Sequence, residues 1–200
     1  MNDRQLQLSL DGLLEQIRTQ CLCAPELPFG PRPTVRARVS ARLLICGQAP
    51  GRKVHETGIP WNDASGNQLR SWMQMERDRF YDESRIAIIP AGFCYPGKGK
   101  AGDLPPRTEC SRRWLPQLLE HLPHIQLTLL IGTYAQKVHL GKRVKPTLTE
   151  TVRAFDEYLP QYLVLPHPSF HNVRWQRMNP WFQEEVIPEL RRRVHEILQV

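Results

Sequence analysis

Four short apolar runs stand out along an otherwise mixed chain: Leu43–Cys46, residues 86–89, Leu127–Ile131 and Tyr162–Leu165. Each is continuous rather than alternating, so each predicts a strand buried on both faces, as in a parallel sheet. Between them, apolar residues return at helical spacing. Residues 65–75 carry Leu69 and Trp72 behind Ser65, whose hydroxyl suits an N-cap. Residues 109–121 carry Trp114, Leu115, Leu118 and Leu119, and residues 134–140 and 149–158 predict shorter helices. The last helix, 181–198, carries Val186, Leu190, Val194 and Leu198, with Pro188 expected to kink it. Residues 1–40 read as a helix followed by a Pro- and Arg-rich arm. Alternating strand and helix predicts an α/β fold, a three-layer α/β/α sandwich on a central four-stranded parallel sheet, with residues 1–200 as one domain.

Parallel sheets of this kind bind ligands beyond the carboxyl ends of their strands. That selects the loops 47–66, 90–106 and 166–177. The first offers Gly47, Gln48, Ala49, Trp61, Asn62 and Asp63. Its glycines allow backbone to approach a ligand closely. Trp61 suits either stacking on a flat base or filling the core. Asp63 suits either orienting a water and stabilising a cation, or capping the following helix. The third loop places His167 between two prolines, which stiffen it; it suits donating a hydrogen bond to a developing oxyanion, or is simply a surface histidine. Ser169 and Asn172 follow, and suit phosphate or base contacts. In the second loop Lys98, Lys100 and Arg107 lie among glycines and prolines, a pattern for phosphate contacts or for a solvated loop.

Charge adds a partner class. The formal net charge of +7 favours a polyanion, or else marks a solvated basic surface. No apolar run approaches the roughly 18 residues of a membrane span, and the N-terminus lacks the apolar core of a secretion signal. The expected compartment is therefore cytoplasmic, with thiols reduced. Cys94 and Cys110 enclose fifteen residues, with Cys21 and Cys23 upstream. Four such thiols suit an iron–sulfur cluster or zinc, or are simply four separate reduced cysteines. Cys46, inside a strand, reads as core.

Gly47-Gln48-Ala49-Pro50-Gly51, Gly58-Ile59-Pro60-Trp61, Ser65-Gly66 and His167-Pro168-Ser169 together resemble the two active-site motifs of the uracil-DNA glycosylase superfamily, most closely its iron–sulfur families four and five. The resemblance runs over about 21–172 and implies excision of uracil or another deaminated base from DNA. The base is flipped from the duplex and an abasic site is left. It implies that Trp61 stacks on the base, that His167 stabilises charge on the departing base, and that a polar residue of the first motif, here Gln48, assists a water. It also implies a structural [4Fe-4S] cluster on Cys21, Cys23, Cys94 and Cys110, with zinc as the fallback. Gln48 stands where family four has a glutamate, and an amide cannot act as a base. Asp63, matching an aspartate of family five, then becomes the expected catalytic carboxylate. Pro90 replaces a uracil-reading asparagine, which leaves backbone groups, Asn62 or Asn67 to read the base. The expected protein is a monomeric, monofunctional glycosylase. The alternatives are a DNA- or lesion-binding protein with little catalysis, and a hydrolase of free N-glycosides.

Overall fold

Leu43–Cys46 is buried along its whole length and forms β1, which pairs in parallel with neighbours on both sides. The computed structural model describes residues 2–22, 24–100 and 102–199, with Ala24 described by its backbone alone. Among these, β2 (Ile86–Ile88), β5 (Leu127–Ile131) and β6 (Tyr162–Leu165) join β1 in the order β2-β1-β5-β6, all parallel. A two-stranded hairpin, β3 (Lys98–Gly99) with β4 (Gly102–Asp103), lies outside this sheet. Helices flank the sheet on both faces, as the strand pattern predicts.

Strand side chains alternate between the two layers. Leu43, Ile45, Ile86, Ile88, Leu129 and Leu163 face α3 (Ala64–Met73) and α9 (Ile187–Leu198). Leu44, Ala87 and Ile89 face α1 (Asp3–Thr19) and α5 (Glu109–Glu120) through Leu10, Leu14, Trp114 and Leu118. Cys46, Leu130 and Val164 face α6 (Gly132–Leu140), so Cys46 is core, as expected. Arg36 in the N-terminal arm exchanges both backbone hydrogen bonds with Ile88, at 3.0 and 2.8 Å, and so covers the open edge of β2.

Several expected boundaries move for local reasons. The cap of α3 is Asp63, whose carboxylate accepts from the Gly66 N–H, so Ser65 lies inside the helix rather than capping it. The helix expected over 149–158 divides into α7 (Leu148–Arg153) and a 3₁₀ turn, Phe155–Tyr158. Thr147 and Glu150 form a capping box that fixes its start. Pro188 does not sit inside a regular helix. It occupies the first turn of α9, where a missing N–H is tolerated, and Phe182–Val186 before it widens into a π-helical turn. The loops hold further short helices: α2 (Arg52–Thr57), α4 (Arg77–Phe80) and α8 (Val173–Met178).

One packing feature sets an acid limit. Burial lowers the His139 pKa to about 4. A buried neutral imidazole favours the fold above the unfolded value of about 6.5, and that contribution is lost as pH falls towards the folded value. The window is worth up to about 3 kcal/mol. Urea unfolding at pH 7 and pH 4.5 should therefore show a smaller loss of stability in His139→Leu than in the wild type. An equal loss in both proteins would exclude His139 as the source.

Candidate active site

The carboxyl ends of β1, β2 and β6 open on one cavity of about 450 Å³, within the range of small-ligand sites (~300–1,000 Å³). Gly47, Gln48, Trp61, Asp63, His167 and Ser169 line it, with Ala49 beside them. Two carbonyls of the first loop are tied down: the Ala91 N–H donates to Gly47 at 2.9 Å and the Gly92 N–H to Gln48 at 2.8 Å. The two loops therefore extend the pairing of β1 and β2 beyond the sheet, and the Gln48 side chain is left lining the cavity.

Trp61 is held in an unusual backbone conformation, with φ at 56°. For a bulky residue this left-handed geometry is strained by about 1–3 kcal/mol. Its surroundings enforce it. A Cβ on Gly66 would lie 1.7 Å from the Trp61 carbonyl oxygen, and one on Gly47 would lie 2.6 Å from the indole Cζ2. Both positions admit only glycine without a shift. Arg70, buried on α3, donates to the Trp61 carbonyl at 3.4 Å, and Tyr81 donates to the Pro60 carbonyl at 2.8 Å. Trp61 is half-buried: it packs on the core at one side and faces the cavity at the other.

His167 leaves the end of β6 and comes within 5.8 Å of the Trp61 ring, nearly parallel to it. Gly132, where β5 passes directly into α6, sits beside it with φ at 80°, a left-handed geometry that favours glycine, and a Cβ there would make only ordinary contact, 3.6 Å from that of His167. The Asn172 amide donates to the His167 carbonyl at 2.7 Å, and the buried Gln136 amide donates to the Leu165 carbonyl at 3.0 Å. The loop is thus pinned on both sides of the imidazole. Burial lowers the His167 pKa, against a weaker upward pull from Asp63, so the ring is neutral at neutral pH. Asp63 divides its carboxylate. Oδ1 accepts from the Gly66 N–H at 2.8 Å, while Oδ2 faces Gly51 inside the cavity. The cavity thus holds an indole wall, a rigid neutral imidazole donor and a carboxylate.

The family model of the uracil DNA glycosylase superfamily matches residues 35–191. The chain belongs to the uracil DNA glycosylase superfamily. The match spans every strand of the central sheet and all three loops around the cavity.

Not every residue singled out on the sequence of this superfamily member reaches the cavity. Asn62 is held elsewhere: its amide donates to Thr57 at 3.4 Å and its oxygen accepts from Arg77 at 3.0 Å. Asn67, on the exposed side of α3, accepts from Arg70. Asn172 turns inward to the His167 backbone rather than outward. Arg107 is paired with Glu26 and, at 2.7 Å, with Glu109, so its charge is already compensated. Lys98 and Lys100 are exposed on the hairpin. Asp103 and His171 line the cavity without any motif to mark them. Arg70 had a faint signal: it shares a helical face with the buried Gly66 and Met73.

Cys94 lies near both Cys21 and Cys110. Burial, then the neighbouring Cys21 and Cys110, push the Cys94 pKa up to about 12. Cys23 lies outside the described residues. Among the described residues, no three His, Cys, Asp or Glu side chains are grouped closely enough to hold a metal ion. No described helix is long and apolar enough to cross a membrane.

Gly66→Ala should expose the role of the tight turn. It is expected to destabilise the fold by about 1–3 kcal/mol and to weaken binding of DNA carrying a non-cleavable deoxyuridine analogue. Gly12→Ala, where a Cβ would meet nothing within 4 Å, is expected to do neither. Denaturant unfolding and DNA titration of both variants check this, and equal behaviour would remove Gly66 as the support of Trp61.

Proposed function

We infer that the protein is a monofunctional DNA glycosylase that excises uracil or another deaminated base and leaves an abasic site. One observation carries this reading: Trp61, Asp63 and His167, from two separate loops, line one cavity beyond the strand ends. A base inside a duplex is shielded by its neighbours, so it must swing out to reach such a cavity. Trp61 would bound the flat face of the flipped base. As the bond from the base to C1′ breaks, negative charge grows on the base and positive charge on the sugar. A neutral His167 N–H suits the first, and the Asp63 carboxylate suits the second. Gln48 is placed to orient water but not to take its proton.

The mouth of the cavity fits a nucleic-acid surface. Phe170 is 76% exposed, between Ser169 and His171. An exposed aromatic there suits filling the gap left by a flipped base. Lys98, Lys100, Arg174 and Arg177 are exposed and suit backbone phosphates. Base reading falls to the backbone and to Gln48, since Asn62 and Asn67 are engaged elsewhere.

The proposed cofactor is a [4Fe-4S] cluster on Cys21, Cys23, Cys94 and Cys110, as in families four and five, with zinc as the fallback. The electrostatic coupling of Cys94 to both Cys21 and Cys110 supports it. Such a group would be structural, tying the segment after α1 to the start of α5. Iron and sulfide analysis of anaerobically purified protein tests it; absence of both would remove the cluster.

The functional test is a panel of single- and double-stranded oligonucleotides containing uracil, hypoxanthine or xanthine, followed by alkaline cleavage. Strand cleavage at the lesion is expected for at least one substrate. Tight DNA binding without cleavage of any would replace the glycosylase by a lesion-binding protein. Cleavage of free nucleosides alone would make it a small-molecule hydrolase.

A further inference from the structure

We propose that Asp103 is a second catalytic carboxylate, placed to hold the attacking water and accept its proton. This rests on the glycosylase reading of the cavity. The observation behind it is the pairing of two carboxylates across Gly51. A Cβ on that glycine would stand 3.6 Å from Asp103 Oδ2 and 3.9 Å from Asp63 Oδ2. Both oxygens therefore face the same small region of the cavity, from two different loops.

Each carboxylate has one oxygen tethered and one facing Gly51, with Asp103 exposed where it lines the cavity. Asp63 Oδ1 caps α3. Asp103 Oδ1 accepts from the Tyr95 hydroxyl at 3.2 Å. Tyr95 is a firm anchor: it is buried, and its ring stacks on Phe29 at 5.6 Å. Burial and the neighbouring Asp103 raise the Tyr95 pKa, which keeps the phenol protonated and donating. Backbone pairing of Asp103 with Lys98 sets the direction from which the carboxylate enters.

The two acids suit different tasks. The first loop has an amide, Gln48, where a proton acceptor is wanted. Asp63 lies near His167 and Trp61 and suits the cationic sugar. Asp103 reaches the cavity from the hairpin and supplies the acceptor that the Gly47–Gly51 segment lacks. In the balanced step, the bond between C1′ and the base nitrogen breaks and its electron pair leaves with the base. The water oxygen bonds to C1′, and its proton passes to Asp103 Oδ2. The base anion, stabilised by the His167 N–H, then takes a proton from solvent.

Single-turnover excision and binding of DNA with a non-cleavable deoxyuridine analogue should be measured for the wild type, Asp103→Asn and Asp103→Ala. The asparagine keeps an acceptor for Tyr95 but cannot take a proton at neutral pH. It is expected to lower the rate by roughly 10²–10⁴-fold, the range for a lost general base, with analogue binding retained. Added formate is expected to restore part of the Asp103→Ala rate. A wild type that excises bases beside an Asp103→Asn variant within about threefold of it would overturn the role of Asp103 alone. Loss of analogue binding without formate rescue would make Asp103 a structural residue and overturn it equally. A wild type that cleaves no substrate would overturn the glycosylase reading, and this assignment with it.

Discussion

Asp63→Asn is expected to lower single-turnover excision by roughly 10²-fold or more, the scale of one lost electrostatic stabiliser, while leaving stability nearly unchanged. The two effects separate because the proposed charge role and the observed cap fall on different oxygens. Oδ1 accepts from the Gly66 N–H at the start of α3, and asparagine caps helices about as well as aspartate. The inward Oδ2 carries the charge that the substitution removes. Asp63→Ala should lose both, adding a destabilisation of about 1 kcal/mol for the missing cap. Excision kinetics with denaturant unfolding on the same variants distinguish the roles. A near-normal rate in Asp63→Asn would reduce Asp63 to a helix cap.

His167→Ala should cost at least as much, roughly 10²–10³-fold in the same assay, as for a removed oxyanion donor. The imidazole is neutral because burial outweighs the pull of Asp63. A neutral ring still donates through one nitrogen, and it carries no positive charge to repel a cationic sugar. The loop is braced by Asn172 and Gln136, so the donor needs no reorganisation as charge develops. The same burial has a stability consequence. With the folded pKa lowered, the contribution of His167 is complete above about pH 6.5, the unfolded value, and declines as pH falls through the folded value. His167→Ala should therefore lose less stability on acidification than the wild type. A rate within about threefold of wild type would remove the oxyanion role.

Under the proposed mechanism the Gly-Gln-Ala-Pro-Gly segment needs no acid in second place. Negative charge enters the cavity from elsewhere: Asp63 from the end of the same loop and Asp103 from the hairpin. Gly47, Trp61 and Gly66 form one mechanical unit, in which two missing side chains make space for one large one.

The sheet and its layers were legible from the apolar runs, because burial on both faces of a parallel strand leaves a continuous hydrophobic signature. That the loops after β1 and β6 would meet beyond the strand ends was legible too, since strand ends in such sheets are where ligands can be reached, and both loops line one cavity. The partners chosen by individual polar side chains were not. Asn62 turned to Thr57 and Arg77, Arg107 to Glu26 and Glu109, and Asn172 to the backbone beneath His167. Asp103 entered the cavity with no motif around it. Apolar burial repeats with the period of the element that carries it, so it can be read along the chain. A hydrogen bond or ion pair depends on which groups the fold brings within about 3 Å, and those groups come from distant segments. The chain order alone therefore determined the sheet and the end of it at which the cavity opens. Tertiary structure decided which of those polar groups face the cavity and which are consumed in holding it open.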